Sequence, residues 1–252
     1  MKRAMLLALA LLAGAAPAQE TEWRPPLITT PDEVVSAMLR LAGTGPADLV
    51  ADLGSGDGRI VIAAARDFGA RGLGIELDGR LVEASRERAR SAGVAARVSF
   101  VQGDVLAADF SQASVVTVYL LPGLLGQLQS RFAYQLKPGT RIVSHSFGMA
   151  GWKPDRTETL RVTQPHPGQG DESRLFLWVV PAEARGTWEG AGLRLRIDQN
   201  YQEIDVDGAS RASLSGTAIA WTIRGLEFRG RVEGDRIVGD FGGQPLVLTR
   251  RR

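Results

Sequence analysis

The run Leu49-Val50-Ala51-Asp52-Leu53-Gly54-Ser55-Gly56-Asp57-Gly58-Arg59 constrains this chain more than any other stretch. Residues of strand character lead into glycines at alternate positions, and an apolar helical period follows. Glycine has no Cβ and reaches positive φ at little cost, so the backbone can turn sharply after the strand and lie directly against a bound small molecule. A strand, a glycine turn and a helix in succession belong to a parallel α/β sheet, whose ligands sit beyond the carboxyl ends of the strands.

The spacing narrows the ligand. A dinucleotide fingerprint reads G-x-G-x-x-G and leaves the helix N-terminus free for a pyrophosphate. Here it is G-x-G-x-G, and Asp57 stands where the helix begins, opposing the phosphate that helix N–H groups and the macrodipole attract. Asp52 and Asp57 suit a cationic, phosphate-free ligand instead. A second apolar strand, Arg71 to Leu77, carries Glu76 roughly 20 residues beyond the turn, where such folds place the carboxylate that accepts from ribose hydroxyls; a solvated strand end or helix cap is the plainer role. A third strand, Val98 to Val101, delivers Gly103-Asp104-Val105. There a side-chain acceptor reaches an adenine amino group while Val105 packs on the ring. Asp52, Gly54, Ser55, Gly56, Asp57, Gly58, Glu76, Asp104 and Val105 are the cofactor-binding candidates.

These residues resemble the class I S-adenosylmethionine-dependent methyltransferases, over about Thr30 to Pro181. Leu136-Lys137-Pro138-Gly139, before the strand Thr140 to Ser144, is a turn that this superfamily commonly uses. Within it, Asp52 to Ala65 is similar to the lysine methyltransferases of the ATP synthase c-subunit and of the adenine nucleotide translocase. Thr30-Pro31-Asp32-Glu33-Val34-Val35, Gly74-Ile75-Glu76-Leu77 and Trp152-Lys153-Pro154 add to the similarity. The resemblance implies a Rossmann-like seven-stranded sheet, S-adenosyl-L-methionine as cofactor, and N-methylation of a protein lysine or another amine. The partner is then a protein or small-molecule methyl acceptor, with Trp152 walling the acceptor channel.

Methyl transfer from a sulfonium is an in-line displacement, so the protein mainly aligns the nucleophile and excludes water. Many amine and amide methylases of the superfamily carry Asp/Asn-Pro-Pro-aromatic after the fourth strand. This chain has Tyr119-Leu120-Leu121-Pro122 there, which argues against an adenine or glutamine amide acceptor and leaves a lysine amine compatible. Tyr119, whose hydroxyl can accept a bond from an incoming amine, and His145, able to act as a base at the end of the fifth strand, are the catalytic candidates. Core packing for Tyr119 and a satisfied structural role for His145 are the alternatives.

A leading helix starts near Thr30, with Thr30 as cap, Pro31 in the first turn, Glu33 completing a capping box, and Val34, Val35, Met38, Leu39 and Leu41 forming its apolar face. It covers the cofactor or simply packs. Helices follow at Gly58 to Asp67 and Gly79 to Ala92, the latter stopped by Gly93 and showing Arg86, Arg88 and Arg90 to solvent. A continuous apolar fourth strand runs Ser114 to Leu121, then a helix from Pro122 through Leu136, and Thr159 to Thr163 with Leu175 to Val180 as a closing antiparallel hairpin. Residues 25–182 form the methyltransferase domain on this reading.

Beyond Pro181 the period becomes 2: Leu193, Leu195 and Ile197 alternate with charges, and Ile219, Trp221 and Ile223 repeat the device. Asp207-Gly208 and Glu233-Gly234 mark hairpin turns. Residues 186–252 read as a small all-β antiparallel meander, a flattened barrel or a sheet packed on the first domain, too small to stand comfortably alone. Trp188 and Trp221 are core residues or the walls of a ligand cup.

The 252 residues, 44% of them hydrophobic, hold one large domain or two small ones. A net charge of +2 with no basic run interleaved with aromatics argues against a nucleic-acid partner. The lack of cysteine excludes disulfides, thiol catalysis and cysteine-ligated zinc, and His145 and His166 are too few for a histidine-rich metal site. Met1-Lys2-Arg3, an apolar run to Ala15 and Ala16-Pro17-Ala18 read as a signal peptide over 1–18, implying export to the periplasm with no membrane span after processing. A retained anchor, or a cytoplasmic protein with a misassigned start, are the alternatives. Export sits awkwardly with a cofactor made in the cytoplasm. A second function class therefore stands beside the enzyme: an exported, non-catalytic binding protein with the β unit as its working part. A nicotinamide-dependent oxidoreductase is disfavoured by Asp57.

Overall fold

The computed structural model describes residues 28–163, 165 and 170–251; the leader assigned to 1–18 and His166 lie outside the described residues. The first unit comprises α1 (Asp32–Leu41), β1 (Leu49–Leu53), α2 (Arg59–Phe68), β2 (Arg71–Glu76), α3 (Gly79–Ser91), β3 (Val98–Gln102), β4 (Val115–Val118), α4 (Pro122–Gln135), β5 (Arg141–His145), β6 (Arg156–Arg161) and β7 (Glu172–Val179). Its seven strands lie in the order β3-β2-β1-β4-β5-β7-β6. β1 to β5 are parallel, and the β6–β7 hairpin closes the sheet antiparallel to β5. Strand order reverses between β1 and β4, and this switch point opens a crevice at their carboxyl ends.

β4 is buried throughout, as a central strand covered on both faces must be. One face packs Val50, Val115 and Val143 under α1, α2 and α3; the other packs Val116, Val118 and Ile142 under α4. The ladder of β4 is shorter than the apolar run, because β5 pairs only with Val115 to Val118. Pro122 opens α4 and holds Leu121 extended, with φ −58° and ψ 150°, which carries residues 119–121 out over the crevice.

The expected capping box of α1 is not formed. Pro31 occupies the N-cap, and neither Thr30 nor Glu33 caps the helix. Glu33 Oε1 instead accepts from the Thr163 N–H at 2.6 Å, and Thr30 Oγ1 lies 3.4 Å from His145 Nδ1. Tertiary partners displaced the local bonds. α3 is capped by Asp78, which accepts from the Arg80 N–H at 2.9 Å. Its arginines are not simply solvated: Arg86 donates to the Phe100 carbonyl at 2.8 Å, and Arg88 reaches Asp57.

The second unit is an antiparallel β domain of eight strands, β8 (Gly186–Gly190), β9 (Leu193–Asn200), β10 (Glu203–Val206), β11 (Ala209–Ser215), β12 (Ala218–Ile223), β13 (Leu226–Glu233), β14 (Arg236–Phe241) and β15 (Gln244–Arg250). The order β10-β9-β8-β15-β14-β13-β12-β11 is an up-and-down cycle in which β15 returns to β8. β10 and β11, the two ends of this order, are in contact across a two-residue turn without a ladder, so the sheet curls into a barrel with a seam there. Glu233-Gly234 is a hairpin turn, as expected, with Glu233 opposite Arg236. Asp207-Gly208 is not: it carries the chain across the seam between strands that share no ladder. An irregular register at Ala209/Arg211 bends β11 at that corner. Trp188, Ile197, Trp221, Phe228 and Ile237 fill the interior, and Trp221 stacks on Phe228 with centroids 3.9 Å apart. Both tryptophans are therefore core rather than cup.

The barrel docks on the first unit through backbone and rings. The Ala182 N–H donates to the Gly216 carbonyl at 2.7 Å, and a Cβ on Gly216 would come 3.1 Å from Gly139 Cα. Tyr201 stacks on Trp152 at 4.4 Å with 6° between the rings. Among the described residues no helix is long and apolar enough to cross a membrane.

Candidate functional site

The glycine turn after β1 has the backbone its spacing implies, with φ of 77° at Gly54, 53° at Gly56 and 77° at Gly58. The Gly54 and Ser55 N–H groups both donate to the Ile75 carbonyl at 2.9 Å, the Gly56 N–H to Glu76 Oε2 at 2.9 Å, and the Gly58 N–H to the Ser55 carbonyl at 2.8 Å. These are the donors with which such a turn would grip a pyrophosphate, and they are already committed. The turn is also packed tightly: a Cβ on Gly58 would lie 2.7 Å from the Phe100 ring. Ser55 Oγ is buried in the cradle without a hydrogen-bond partner among the described residues.

The acids divide by role. Asp52, 3% exposed at the end of β1, accepts from Thr117 Oγ1 at 2.7 Å. Burial pushes its pKa up to about 7 against that bond, with Asp57 and Glu76 adding to the rise. It lines a hollow with Thr29, Thr30, Tyr119 and the glycine turn. Glu76 accepts the Gly56 N–H at one oxygen and the Asp78 N–H at the other, both at 2.9 Å, which aims the carboxylate and leaves each oxygen capacity for a ligand hydroxyl. At the same end of the sheet, beyond β3, exposed Asp104 accepts from the Leu106 N–H at 2.8 Å, and buried Val105 joins the α4-side core.

Asp57 departs from its expected role. Arg59 grips its carboxylate through Nε and Nη2 at 2.9 and 2.7 Å, and Arg88 adds a third bond. Burial works to raise its pKa, but the bonds and charge from Arg59 and Arg88 hold it below the usual carboxylate value. Its charge is spent on these arginines, so committed N–H groups, rather than a free carboxylate, make the turn unsuited to phosphate. A cradle whose glycine and Ser55 N–H groups are committed, with a buried acid at its floor and an aimed carboxylate at its side, fits S-adenosylmethionine, a nucleoside bearing a sulfonium and an ammonium.

On the acceptor side, the Tyr119 ring lines the hollow. It packs on His145 at 4.2 Å between centroids and on Phe147 at 6.4 Å. His145 does not have the geometry of a base. It is 1% exposed, its Nε2 is 3.0 Å from Ser173 Oγ, its Nδ1 faces Thr30, and burial lowers its pKa to about 4. Both ring nitrogens serve the packing of β5 against β7 and of the segment before α1. Trp152 does not wall a channel either. The barrel covers it, with Nε1 donating to Gln202 Oε1 at 2.9 Å and its face against Tyr201.

Arg59, which lines the hollow, and Thr117, which bonds Asp52 from behind it, were missed in the sequence. Arg59 donates through Nη1 to the Thr30 carbonyl at 2.8 Å, tying residues 28–30 to the glycine turn. A cation in a helix's first turn opposes the macrodipole, and that oddity was a readable signal. Thr117 is a lone hydroxyl in a fully buried strand, a position that demands a partner.

A family model described as the ANTKMT methyltransferase domain matches residues 52–156. A protein-lysine N-methyltransferase of Saccharolobus islandicus is 41% identical over 130 residues, which are 51% of this chain and 81% of that protein. The lysine N-methyltransferase of the ATP synthase c-subunit from Mus musculus is 36% identical over 132 residues, and the match spans about half of it, 53%. Among solved structures, an RNA methyltransferase from Salinibacter ruber in complex with S-adenosyl-L-homocysteine superposes with a TM-score of 0.56 at 48% identity, covering 62% of this chain and 95% of that one.

Proposed function

Because the chain belongs to the class I S-adenosylmethionine-dependent methyltransferases, among the relatives of the lysine methyltransferases of the ATP synthase c-subunit and the adenine nucleotide translocase, we propose that it methylates the ε-amine of a protein lysine. The cofactor supplies a methyl group activated by a sulfonium. Asp52 would face its ammonium end, Glu76 would hold the ribose hydroxyls, Asp104 and Val105 would hold the adenine, and the backbone of Gly54 to Gly58, with Ser55, would cradle it. The Tyr119 hydroxyl accepts a bond from the incoming amine and so orients the nitrogen lone pair toward the methyl carbon. A lysine arrives protonated, and with His145 neutral and occupied, its proton leaves to water at the mouth.

The observation that carries the choice of acceptor is the sign of the hollow. Arg59, the only cation lining it among the described residues, is bound to Asp57 and lies 3.7 Å from Asp32, and Asp57 is spent on Arg59 and Arg88, so the lining acid left for a cationic ligand is Asp52. Ile28 and Leu121, 51% and 60% exposed, add apolar surface there and two residues beyond Tyr119. Such a mouth favours an ammonium on an aliphatic stem and disfavours an RNA phosphate.

The test is transfer of labelled methyl from S-adenosylmethionine into cell extract, followed by protease or ribonuclease digestion. Label recovered as N-methyllysine, and lost in Asp52→Ala and Glu76→Ala, is expected. Label in RNA refutes the acceptor; cofactor binding without transfer refutes the catalyst and returns the chain to the binding-protein reading. Export is part of the proposal, and a native protein that begins at Met1 and fractionates with cytoplasm removes it.

A further inference from the structure

The family match ends at residue 156, and the barrel lies beyond it. No barrel residue lines the hollow among the described residues, and the hydrogen-bond partners of Asp52, Gly56 and Glu76 all belong to the first unit. The barrel does meet α4, which follows the first connection flanking the acceptor mouth, and the second connection itself, and it meets them at one corner. The first connection runs from β4 to α4 and carries Tyr119. From α4, Gln129 Nε2 donates to Tyr201 Oη at 2.9 Å and to the Ala150 carbonyl at 2.8 Å. The second runs from β5 to β6 and carries Phe147, whose ring stacks on Tyr119.

That second connection is pinned at its far end by the same corner. Tyr201 covers the face of Trp152, Gln202 Oε1 accepts from Trp152 Nε1, and Gln202 Nε2 donates to the Lys153 carbonyl. The Trp152 carbonyl accepts in turn from Trp178 Nε1 at 2.9 Å, which ties the pinned end to β7. Tyr201 adopts a left-handed backbone, φ 52°, to present its ring, and Ser146 does the same, φ 66°, where the connection leaves β5. Positive φ is uncommon in non-glycine residues, and at Tyr201 it goes with the two-residue hairpin that joins β9 to β10.

We propose that Tyr201 and Gln202 are positioning residues for the methyl acceptor: the barrel corner holds α4 and the β5–β6 connection so that Phe147 seats Tyr119 at the mouth. The barrel is a brace for the acceptor side and leaves cofactor binding to the first unit. This rests on the methyltransferase reading above.

The test uses full-length Tyr201→Ala, Tyr201→Phe and Gln202→Ala. S-adenosylhomocysteine affinity by calorimetry stays within about twofold of the parent, while the apparent KM for extract protein in the labelling assay rises about tenfold in Tyr201→Ala. Tyr201→Phe keeps the stack, loses the Gln129 bond and recovers most of the loss. A smaller folded fraction lowers kcat and leaves KM in place, so the KM separates positioning from mere stability. An unchanged KM in Tyr201→Ala, or cofactor affinity falling in step with it, overturns the proposal. Should Tyr201→Ala fail to fold, Gln202→Ala, which retains the stack, carries the same comparison. If the parent labels no protein, the lysine reading fails and hydrogen exchange decides the brace. Faster exchange of residues 119–125 and 146–153 in the variants, at unchanged S-adenosylhomocysteine affinity, supports it; unchanged exchange overturns it.

Discussion

Asp52 makes cofactor binding depend on pH in a way that its burial quantifies. Its carboxyl is pushed to about 7, against about 3.9 for an ordinary aspartate. A cationic ligand beside it favours the ionised form, so binding draws the pKa down and expels a proton. With a free-state value near 7, about one molecule in eleven is ionised at pH 6 and about ten in eleven at pH 8, so the Kd for S-adenosylmethionine tightens about tenfold over that interval, close to 1.4 kcal/mol. At pH 7 roughly half a proton is released per binding event. Calorimetry at the three pH values, in two buffers of different ionisation heat, measures both quantities. The cofactor's own amino group titrates nearby, but it does so equally for the parent and Asp52→Asn, and the difference isolates this residue. Parallel profiles for the two proteins, or proton uptake on binding, would refute the reasoning.

Asp52 and His145 also pull stability in opposite directions with pH. Asp52, raised when folded, contributes stability that is full below about pH 4 and lost as pH rises through 7; His145, lowered to about 4, contributes stability that is present above about 6.5 and lost as pH falls through 4. Each is worth about 3–4 kcal/mol and they largely offset, so urea titrations should show Asp52→Asn losing stability more steeply than the parent from pH 7 to 5, and His145→Gln gaining it. Gly58→Ala strains a φ of 77° and drives a Cβ to 2.7 Å from Phe100; a loss of about 2–4 kcal/mol in denaturant midpoint analysis is expected, and a loss under 1 would count against the tight cradle. Tyr119→Phe keeps the rings on His145 and Phe147 and loses only the hydroxyl. It should remain folded, as thermal melting checks, while kcat falls about tenfold, and unaltered turnover would remove the hydroxyl from the mechanism.

The cofactor half of the chain was legible because its signals are local. The G-x-G-x-G turn, the acid closing β2 and the buried β4 are read within a few residues, and each sits where spacing placed it. The barrel was legible as alternation at period 2, but its closure was not, since Asp207-Gly208 has the composition of a hairpin and crosses a seam. The box of Thr30 and Glu33 misled for a related reason: both side chains found partners more than a hundred residues away.

By itself the sequence determined the alternation of strand and helix, the glycine cradle and the chemistry of its ligand, because backbone conformation and hydrophobic period depend on near neighbours. Only the tertiary structure decided what the polar side chains do. Asp57 became a partner of Arg59 and Arg88, His145 a clamp between Thr30 and Ser173, and Trp152 the seat of Tyr201. A buried polar group takes its role from whichever group satisfies it; apart from Arg59, two residues from Asp57, the partners of these residues lie tens of residues away along the chain or, for Thr30 and His145, more than a hundred.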